Sequence, residues 1–103
     1  MHSQSYFEAI LQLRPFDEKI MQFILNRVEE RKKNIFISKI VNLKTGVDIY
    51  LSDNSFTLGL GKKLKKVFKG KLILSRKLHT RDRQTSKDLY RVTVCFRLER
   101  NED

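Results

Sequence analysis

The chain has 103 residues, with 22 lysines and arginines against 12 acidic residues, so its formal net charge is +10 at pH 7. This length suits one compact domain, and the hydrophobic share of 40% argues against a disordered chain. The single cysteine excludes an internal disulfide, and no Cys/His pair has the spacing of a zinc site.

The sequence also argues against a membrane or secreted protein. No apolar stretch approaches the ~20 residues needed to cross a bilayer, and the N-terminus lacks the basic start of a signal peptide. We therefore expect a soluble, cytoplasmic, strongly basic domain that needs no metal, cofactor or small-molecule substrate.

The positive charge is concentrated in one part of the chain. Residues 1–30 contain three basic and five acidic residues, whereas residues 62–91 contain twelve basic and only two acidic ones. Such clustering costs self-repulsion and exceeds what solubility requires. It predicts a polyanionic partner, above all a nucleic acid.

The chain begins with a predicted strand and helix. Apolar residues alternate through 6–13, which predicts a strand with Phe7 among the buried positions and Glu8 on the opposite face. Pro15 and the two acids after it predict the first turn of a helix. Apolar residues then recur at helical spacing, so the helix is expected to run to about Lys33.

A hairpin and a second helix follow. Two segments rich in β-branched residues, 35–43 and 47–52, flank a turn at 44–46 and predict a β-hairpin. The N-cap residues at 53–55 then begin an amphipathic helix that we expect to end at Gly70. Glycine inside a helix costs ~1 kcal/mol relative to alanine, so we expect a close backbone contact at each of two positions, Gly59 and Gly61.

Two strands complete the predicted fold. Segment 71–78 predicts a strand that becomes polar, residues 80–87 predict an exposed loop, and 89–99 alternates throughout as a strand. The order β-α-β-β-α-β-β predicts an α+β domain over residues 5–99, with two helices on one face of a mostly antiparallel sheet. The first six elements match a ferredoxin-like arrangement, to which the last strand is expected to add an edge.

The candidate binding residues are cations of the second helix and of the last two strands with their connection. Lysines near a helix C-terminus partly serve the helix dipole, but five exceed that need. Arginine forks and neutral donors suit phosphate oxygens. The candidates are Lys62, Lys63, Lys65, Lys66 and Lys69 in the helix, and Arg76, Lys77, Arg81, Arg83, Gln84, Lys87 and Arg91 beyond it.

Catalytic readings of the same region are possible. His79 and Asp82, with Tyr90, form an imaginable acid–base set, which keeps a small RNA-processing nuclease as the alternative function. Cys95 alternates with arginines that would favour its thiolate, but no histidine lies near it in the sequence. A third reading is a domain that binds only protein, through an acidic partner.

Several stretches together resemble a known family. They are similar to the central domain of the large-ribosomal-subunit nuclear export adaptor, the third nonsense-mediated-decay family, in its archaeal form. The resemblance covers about residues 5–99. It rests on Tyr6–Arg14, Gly46–Tyr50, Ser75–Leu78 and Arg81–Lys87.

The resemblance implies a non-catalytic role in ribosome biogenesis. The expected partners are ribosomal RNA and large-subunit proteins. The family's zinc-binding CxxC pairs would precede Ser5, so we expect this chain to be similar to a fragment of a longer protein. The C-terminal export signal of eukaryotic members is not part of this region, so the resemblance does not imply nuclear export by this chain. The charge distribution and the resemblance independently predict RNA binding.

Overall fold

The computed structural model of the chain describes residues 6–82 and 87–99, with side chains throughout these ranges except at 79–82 and 87–89. The described elements follow the predicted order of strands and helices. They are β1 (Ala9–Arg14), α1 (Glu18–Glu30), β2 (Ile37–Leu43), β3 (Gly46–Leu51), α2 (Asn54–Val67), β4 (Gly70–Asp82) and β5 (Lys87–Leu98).

The strands form one mixed sheet in the order β2-β3-β1-β5-β4. Strands β1 and β5 are parallel, and the other adjacent pairs are antiparallel. The α+β class with two helices is confirmed. The predicted place of the last strand is wrong, because β5 is inserted between β1 and β4, and β4 forms the edge. This insertion makes the sheet mixed and departs from the ferredoxin-like order.

The side chains of β4 and β5 are compatible with this order. Val92, Val94 and Phe96 of β5 are at most 4% exposed, so this strand contributes a covered apolar face to the core. Strand β4 instead exposes Arg76 and Lys77. Charged side chains on an edge strand oppose pairing with another sheet, so β4 suits the edge better than β5 does.

The hydrophobic core lies between one face of the sheet and the two helices. Alternate residues of β1, β3 and β5 supply the sheet side, and helically spaced residues supply the other. The opposite face of the sheet has no helix on it among the described elements. The fully buried side chains of the core include Leu11, Leu13, Ile49, Leu51, Val94 and Phe96 from the sheet and Ile20, Ile24 and Leu64 from the helices.

Helix α1 is shorter than predicted. Asp17 is its N-cap, and the carboxylate accepts a hydrogen bond from Ile20 N at 3.0 Å. Because this cap satisfies a free N–H of the first turn, the helix begins at Glu18 and Pro15 lies outside it, contrary to expectation. The helix ends at Glu30, three residues before Lys33, and a turn follows.

The hairpin of β2 and β3 is confirmed. Leu43 pairs with Gly46 across a two-residue turn, and Gly46 has a φ of 152°. A Cβ there would lie 2.0 Å from Leu13 O in β1, so both the backbone conformation and the close neighbour require glycine.

Helix α2 is capped as predicted, with Asp53 accepting from Ser55 N at 3.0 Å. The helix ends at Val67, before Gly70, which instead begins β4. The expected close contact is confirmed at Gly61, where a Cβ would lie 2.7 Å from Val94 Cγ1. At Gly59 it is wrong, because no atom lies within 4 Å of a Cβ placed there.

The start of β1 departs from simple alternation. Glu8 bends before the strand while its N–H donates to Leu51 O at 2.9 Å. Its carboxylate accepts from Asn54 N, at the start of α2, at 3.2 Å. Phe7 packs its ring edge-on against Tyr50, on the face of the sheet that carries no helix. The predicted faces of Phe7 and Glu8 are therefore wrong.

Strands β4 and β5 continue past the rest of the sheet as a two-stranded arm, defined as residues 77–82 and 87–91. Pairing with β1 begins at Val92, whereas β4–β5 pairing extends to Asp82 and Lys87. The predicted loop is thus wrong for residues 80–82 and 87, because ladder hydrogen bonds need no apolar side chains. Residues 83–86 lie outside the described part. The domain measures 56 × 25 × 25 Å.

Candidate nucleic-acid interface

The lysines of α2 lie on its solvent side. Leu60, Gly61 and Leu64 are buried against the sheet, and this leaves the intervening positions exposed. Every lysine predicted in this region is exposed, including the one that follows the helix. They are Lys62, Lys63, Lys65, Lys66 and Lys69.

These lysines keep their charge uncompensated by described carboxylates. The ion pairs among the described side chains use Arg14, Arg27 and Lys32, and none involves a lysine of α2. Four exposed ammonium groups in the last two turns of α2, with Lys69 just beyond the helix, therefore attract counterions from solution. A polyanion that displaces those ions gains free energy from their release.

The base of the arm carries cations on both faces of the sheet. Arg76 pairs with Val92, so it lies on the helix side, and its guanidinium is 5.5 Å from the Tyr90 ring. Lys77 pairs with Arg91, so both lie on the other side. Arg91 lies over the Phe7 ring at 3.9 Å.

The far end of the arm carries further candidates. Arg81 pairs with Asp88, and Lys87 pairs with Asp82, in the backbone ladder. The arm extends five residue steps from the Lys77 pair to Asp82, or roughly 17 Å at strand spacing. Arg83 and Gln84 lie outside the described residues.

The predicted residues do not form one continuous surface. The α2 lysines and Arg76 lie on the helix side of the sheet, whereas Lys77 and Arg91 lie on the opposite side. The arm connects these two sides at one end of the domain. A polyanion that contacts both sets must bend around the base of the arm or meet them with separate segments.

Sequence reasoning missed the cations on the face that carries no helix. Lys39, Lys71 and Arg97 are exposed, and their register places them on the face opposite the buried side chains of β3 and β5. The period of two along each strand already indicated which face of the sheet these cations occupy. That face is free of helices only if both helices pack on the other side. Both helices were predicted on one side, and the exposure of these three cations follows from that arrangement.

The comparison with protein families now bears on this geometry. Residues 6–98 match the family model described as NMD3, second domain. The chain belongs to the NMD3 family. No curated protein matches the chain. The match includes every described element, so the exposed lysines and the arm are parts of this NMD3 domain and not additions to it. Family membership indicates a ribosome-related role and an interaction with the large subunit.

The residues suggested for catalysis lie on β4 and β5 of this NMD3 domain. His79 lies at an irregularity in β4 between Leu78 and Thr80, and its side chain lies outside the description, as does that of Asp82. Tyr90 is 39% exposed on the helix side. Cys95 is half-buried in β5, an inner strand and not the edge strand that we expected.

The described residues were compared with two further kinds of feature, a metal-binding cluster and a membrane-spanning helix, and show neither. No group of three or more histidine, cysteine or acidic residues is arranged to hold a metal ion there. Neither of the two described helices is long and apolar enough to span a bilayer.

A groove of about 360 Å³ separates α1 from the first half of α2. Arg27, Arg31 and Lys63 line it together with the acids Glu30 and Asp53. Arg27 already pairs with Glu30 at 3.2 Å. The mixed charge makes the groove less favourable to a polyanion than the lysine-rich end of α2.

Proposed function

We propose that this domain binds RNA of the large ribosomal subunit through phosphate contacts and catalyses no reaction. The observation that carries the proposal is the row of uncompensated lysines on α2 in a domain whose family has a ribosome-related role. Residues 5–99 would act as one binding unit of a subunit biogenesis and export adaptor in the cytoplasm. Ribosomal proteins of the same subunit are the expected neighbouring partners.

The proposed interface has two parts. Lysines of α2 present point charges to phosphates, and arginines of the arm add planar forks that each donate hydrogen bonds to two oxygens. Such contacts position a protein on folded RNA without reading its base sequence. The proposed contacts in and just after α2 are Lys62, Lys63, Lys65, Lys66 and Lys69. Those in the arm, or next to it in the sequence, are Arg76, Lys77, Arg81, Arg83, Gln84, Lys87 and Arg91.

The test is co-sedimentation with purified large subunits over a range of salt concentrations. Each neutralised phosphate contributes about −0.7 to −0.9 to the slope of log K against log salt. Replacing Lys62 and Lys66 by glutamate should weaken binding and make this slope shallower. The control replaces by glutamate two exposed lysines that are not among the proposed contacts, Lys19 and Lys33, which changes the net charge equally.

Two outcomes would contradict the proposal. A salt slope near zero would show that phosphate neutralisation does not drive binding. Equal losses in the interface and control variants would show that only the net charge matters. Binding that survives complete ribonuclease digestion of the subunit fraction would instead assign the basic surface to an acidic protein.

The arm is tested separately, because it reaches beyond the core. Replacing Arg81 and Arg83 by glutamate should weaken subunit binding without unfolding the domain, as followed by circular dichroism. Unchanged co-sedimentation would remove the arm from the proposed interface. Labelled RNA incubated with the domain and Mg²⁺ should stay intact, and cleavage that His79→Ala abolishes would replace the proposal with the nuclease alternative.

A further inference from the structure

The face of the sheet without a helix, here named the open face, is organised in rows across the strands. One row runs through all five strands, and its members pair in register from the β2 edge to the β4 edge. The row is Lys39, Tyr50, Ile10, Thr93 and Ser75. The next row is Val41, Asp48, Gln12, Cys95 and Ile73.

Cations occupy the margins of the open face. Lys39 lies at the β2 edge, Lys77 and Arg91 lie at the arm end, and Lys71 and Arg97 pair at the opposite end. Arg91 and Arg97 are six residues apart, so the two ends are separated by roughly 20 Å. The interior of the face is neutral except for Asp48.

The two rows of the open face contain one acid, Asp48, and its charge is compensated by an ion pair with Arg14. Asp48 Oδ1 lies 2.6 Å from Arg14 Nη2, and both side chains are at most 16% exposed. None of the marginal cations takes part in an ion pair with a described carboxylate. The open face therefore has net positive charge, which is complementary to a polyanion.

Aromatic rings lie inside this positive margin. Phe7 and Tyr50 meet edge to face with centroids 4.8 Å apart. Arg91 lies 3.9 Å from the Phe7 centroid, and Lys39 Nζ lies 4.4 Å from the Tyr50 centroid. Each cation covers one face of its ring, so a phosphate bound to the cation places the attached nucleoside next to the aromatic pair.

Neutral polar groups occupy further positions in these rows. Gln12 offers both a donor and an acceptor, and the hydroxyls of Thr93 and Ser75 offer either. Such groups suit the exposed edges of unpaired bases. A nearly flat sheet does not enter the deep, narrow major groove of A-form RNA, so a duplex would leave the central rings and polar groups unused.

We propose that the open face binds a single-stranded RNA segment, independently of the α2 surface on the other side of the sheet. Marginal cations hold its phosphates, and the Phe7–Tyr50 pair contacts its bases. The inference goes beyond the proposed function, because it adds a second surface with Lys39, Lys71 and Arg97, which have no part in that interface. Lys77 and Arg91 belong to both surfaces. An acidic protein segment is the competing occupant, but it would use the charge and leave the rings without a specific role.

The experiment measures fluorescence anisotropy of labelled oligouridine and of a labelled RNA hairpin with a duplex stem. Replacing Lys71 and Arg97 by glutamate should weaken oligouridine binding about tenfold and change hairpin binding less than about twofold. The matched control replaces Lys19 and Lys33 by glutamate, because both are exposed and belong to neither surface. It should leave oligouridine binding within about twofold. The α2 variant, with Lys62 and Lys66 replaced by glutamate, should weaken oligouridine binding less than the open-face variant does, although it weakens large-subunit binding more.

Base contact has its own readout. Tyr50→Leu should weaken oligouridine binding, and Tyr50→Phe should retain it, because the ring and not the hydroxyl makes the contact. If Tyr50→Leu unfolds, the wild type is titrated with oligouridine and followed by nuclear magnetic resonance. The chemical shifts of the Tyr50 ring should then change. Shifts in the backbone signals of the surrounding strands without shifts in the Tyr50 ring would overturn the base contact.

The remaining outcomes separate the competing occupants. Equal weakening by the open-face and α2 variants would overturn the inference of an independent surface, even if the proposed function holds. If only the α2 variant loses subunit binding and only the open-face variant loses oligouridine binding, the result supports both the proposed function and the open-face site. Displacement of oligouridine by polyglutamate at lower concentration than by unlabelled RNA would assign the open face to an acidic protein.

Discussion

Gly61 of α2 lies directly against Val94 of β5. A Cβ at Gly61 would come within 2.7 Å of Val94 Cγ1 and 3.2 Å of Leu72 Cδ1. The missing side chain lets the helix settle close to the inserted strand, so one glycine determines the distance between the lysine-bearing helix and the sheet. Gly59, one half-turn away, has open space instead.

The two glycines therefore predict opposite effects of the same substitution. Gly61→Ala should lower the free energy of unfolding, because overpacking typically costs 1–3 kcal/mol, about as much as or more than the ~1 kcal/mol gain in helix propensity. Gly59→Ala should raise it by up to about 1 kcal/mol. Urea unfolding of both variants checks the prediction, and equal stabilisation by both would contradict the close packing at Gly61.

The ion pair of Arg14 and Asp48 should contribute more to the free energy of unfolding than its distance alone suggests. Arg14 Nη1 also donates to Val47 O at 3.1 Å, so the guanidinium joins β1 to β3. Asp48→Asn leaves this largely buried cation without its counter-charge and should cost about 1–3 kcal/mol of unfolding free energy.

An exposed ion pair supplies the control for Asp48→Asn. Lys32 and Glu29 are joined at 3.3 Å, but their side chains are 71% and 72% exposed. Glu29→Gln should therefore change stability by less than about 0.5 kcal/mol. Similar losses in both variants, measured by urea unfolding, would show that burial does not strengthen the Arg14 pair.

The Tyr6 hydroxyl predicts a stability change at alkaline pH. Its hydrogen bond to the Glu8 carboxylate, followed by partial burial and the negative charges of Glu8 and Asp53, raises the pKa of Tyr6 from 10.0 to about 12. Since the folded pKa lies above the unfolded value, this contribution to stability is full below about pH 10 and is lost as the pH rises through about 12.

Tyrosinate absorbance measures this pKa directly. The difference between titrations of the wild type and Tyr6→Phe isolates Tyr6 from the other two tyrosines. Glu8→Gln should move the Tyr6 midpoint back towards 10.0, because it removes both the charge and the strong acceptor. If the titration difference between the wild type and Tyr6→Phe has its midpoint near pH 10.0, the ordinary tyrosine pKa, that result would contradict the hydrogen bond.

Local pattern was sufficient to predict the elements and most of their buried faces. Strict alternation identified Val92, Val94 and Phe96 as one face of a strand, and their burial confirms it. N-cap chemistry placed the start of α2 at Asp53. These predictions succeeded because each depends on residues within a few positions of one another.

Features that depend on distant residues were not predictable in the same way. The insertion of β5 beside β1 requires pairing across some eighty residues, and no local signal distinguishes it from an added edge. The bend that turns Phe7 away from the core depends on Glu8 bonding to Leu51 and Asn54. Residues 80–82 and 87 of the arm were predicted as loop, because their ladder depends on backbone groups and their side chains are polar.

The arm permits a prediction that separates folding from function. Its residues, 77–82 and 87–91, lie beyond the last pairing of β5 with β1, and the core side chains of β5 begin at Val92. Replacing residues 79–89 by Asn-Gly should close Leu78 and Tyr90 with a short hairpin turn. The free energy of unfolding should change by less than about 1 kcal/mol, because no described core residue is removed.

Binding should respond differently from stability to this shortening. The deletion removes Arg81, Arg83 and Lys87 together, so co-sedimentation with large subunits should weaken and its salt slope should become shallower. Oligouridine binding to the open face should persist, because Lys39, Lys71 and Arg97 remain. Retained subunit binding by a folded variant would show that the arm contributes no phosphate contact, and the lysines of α2 would then have to account for the salt dependence alone.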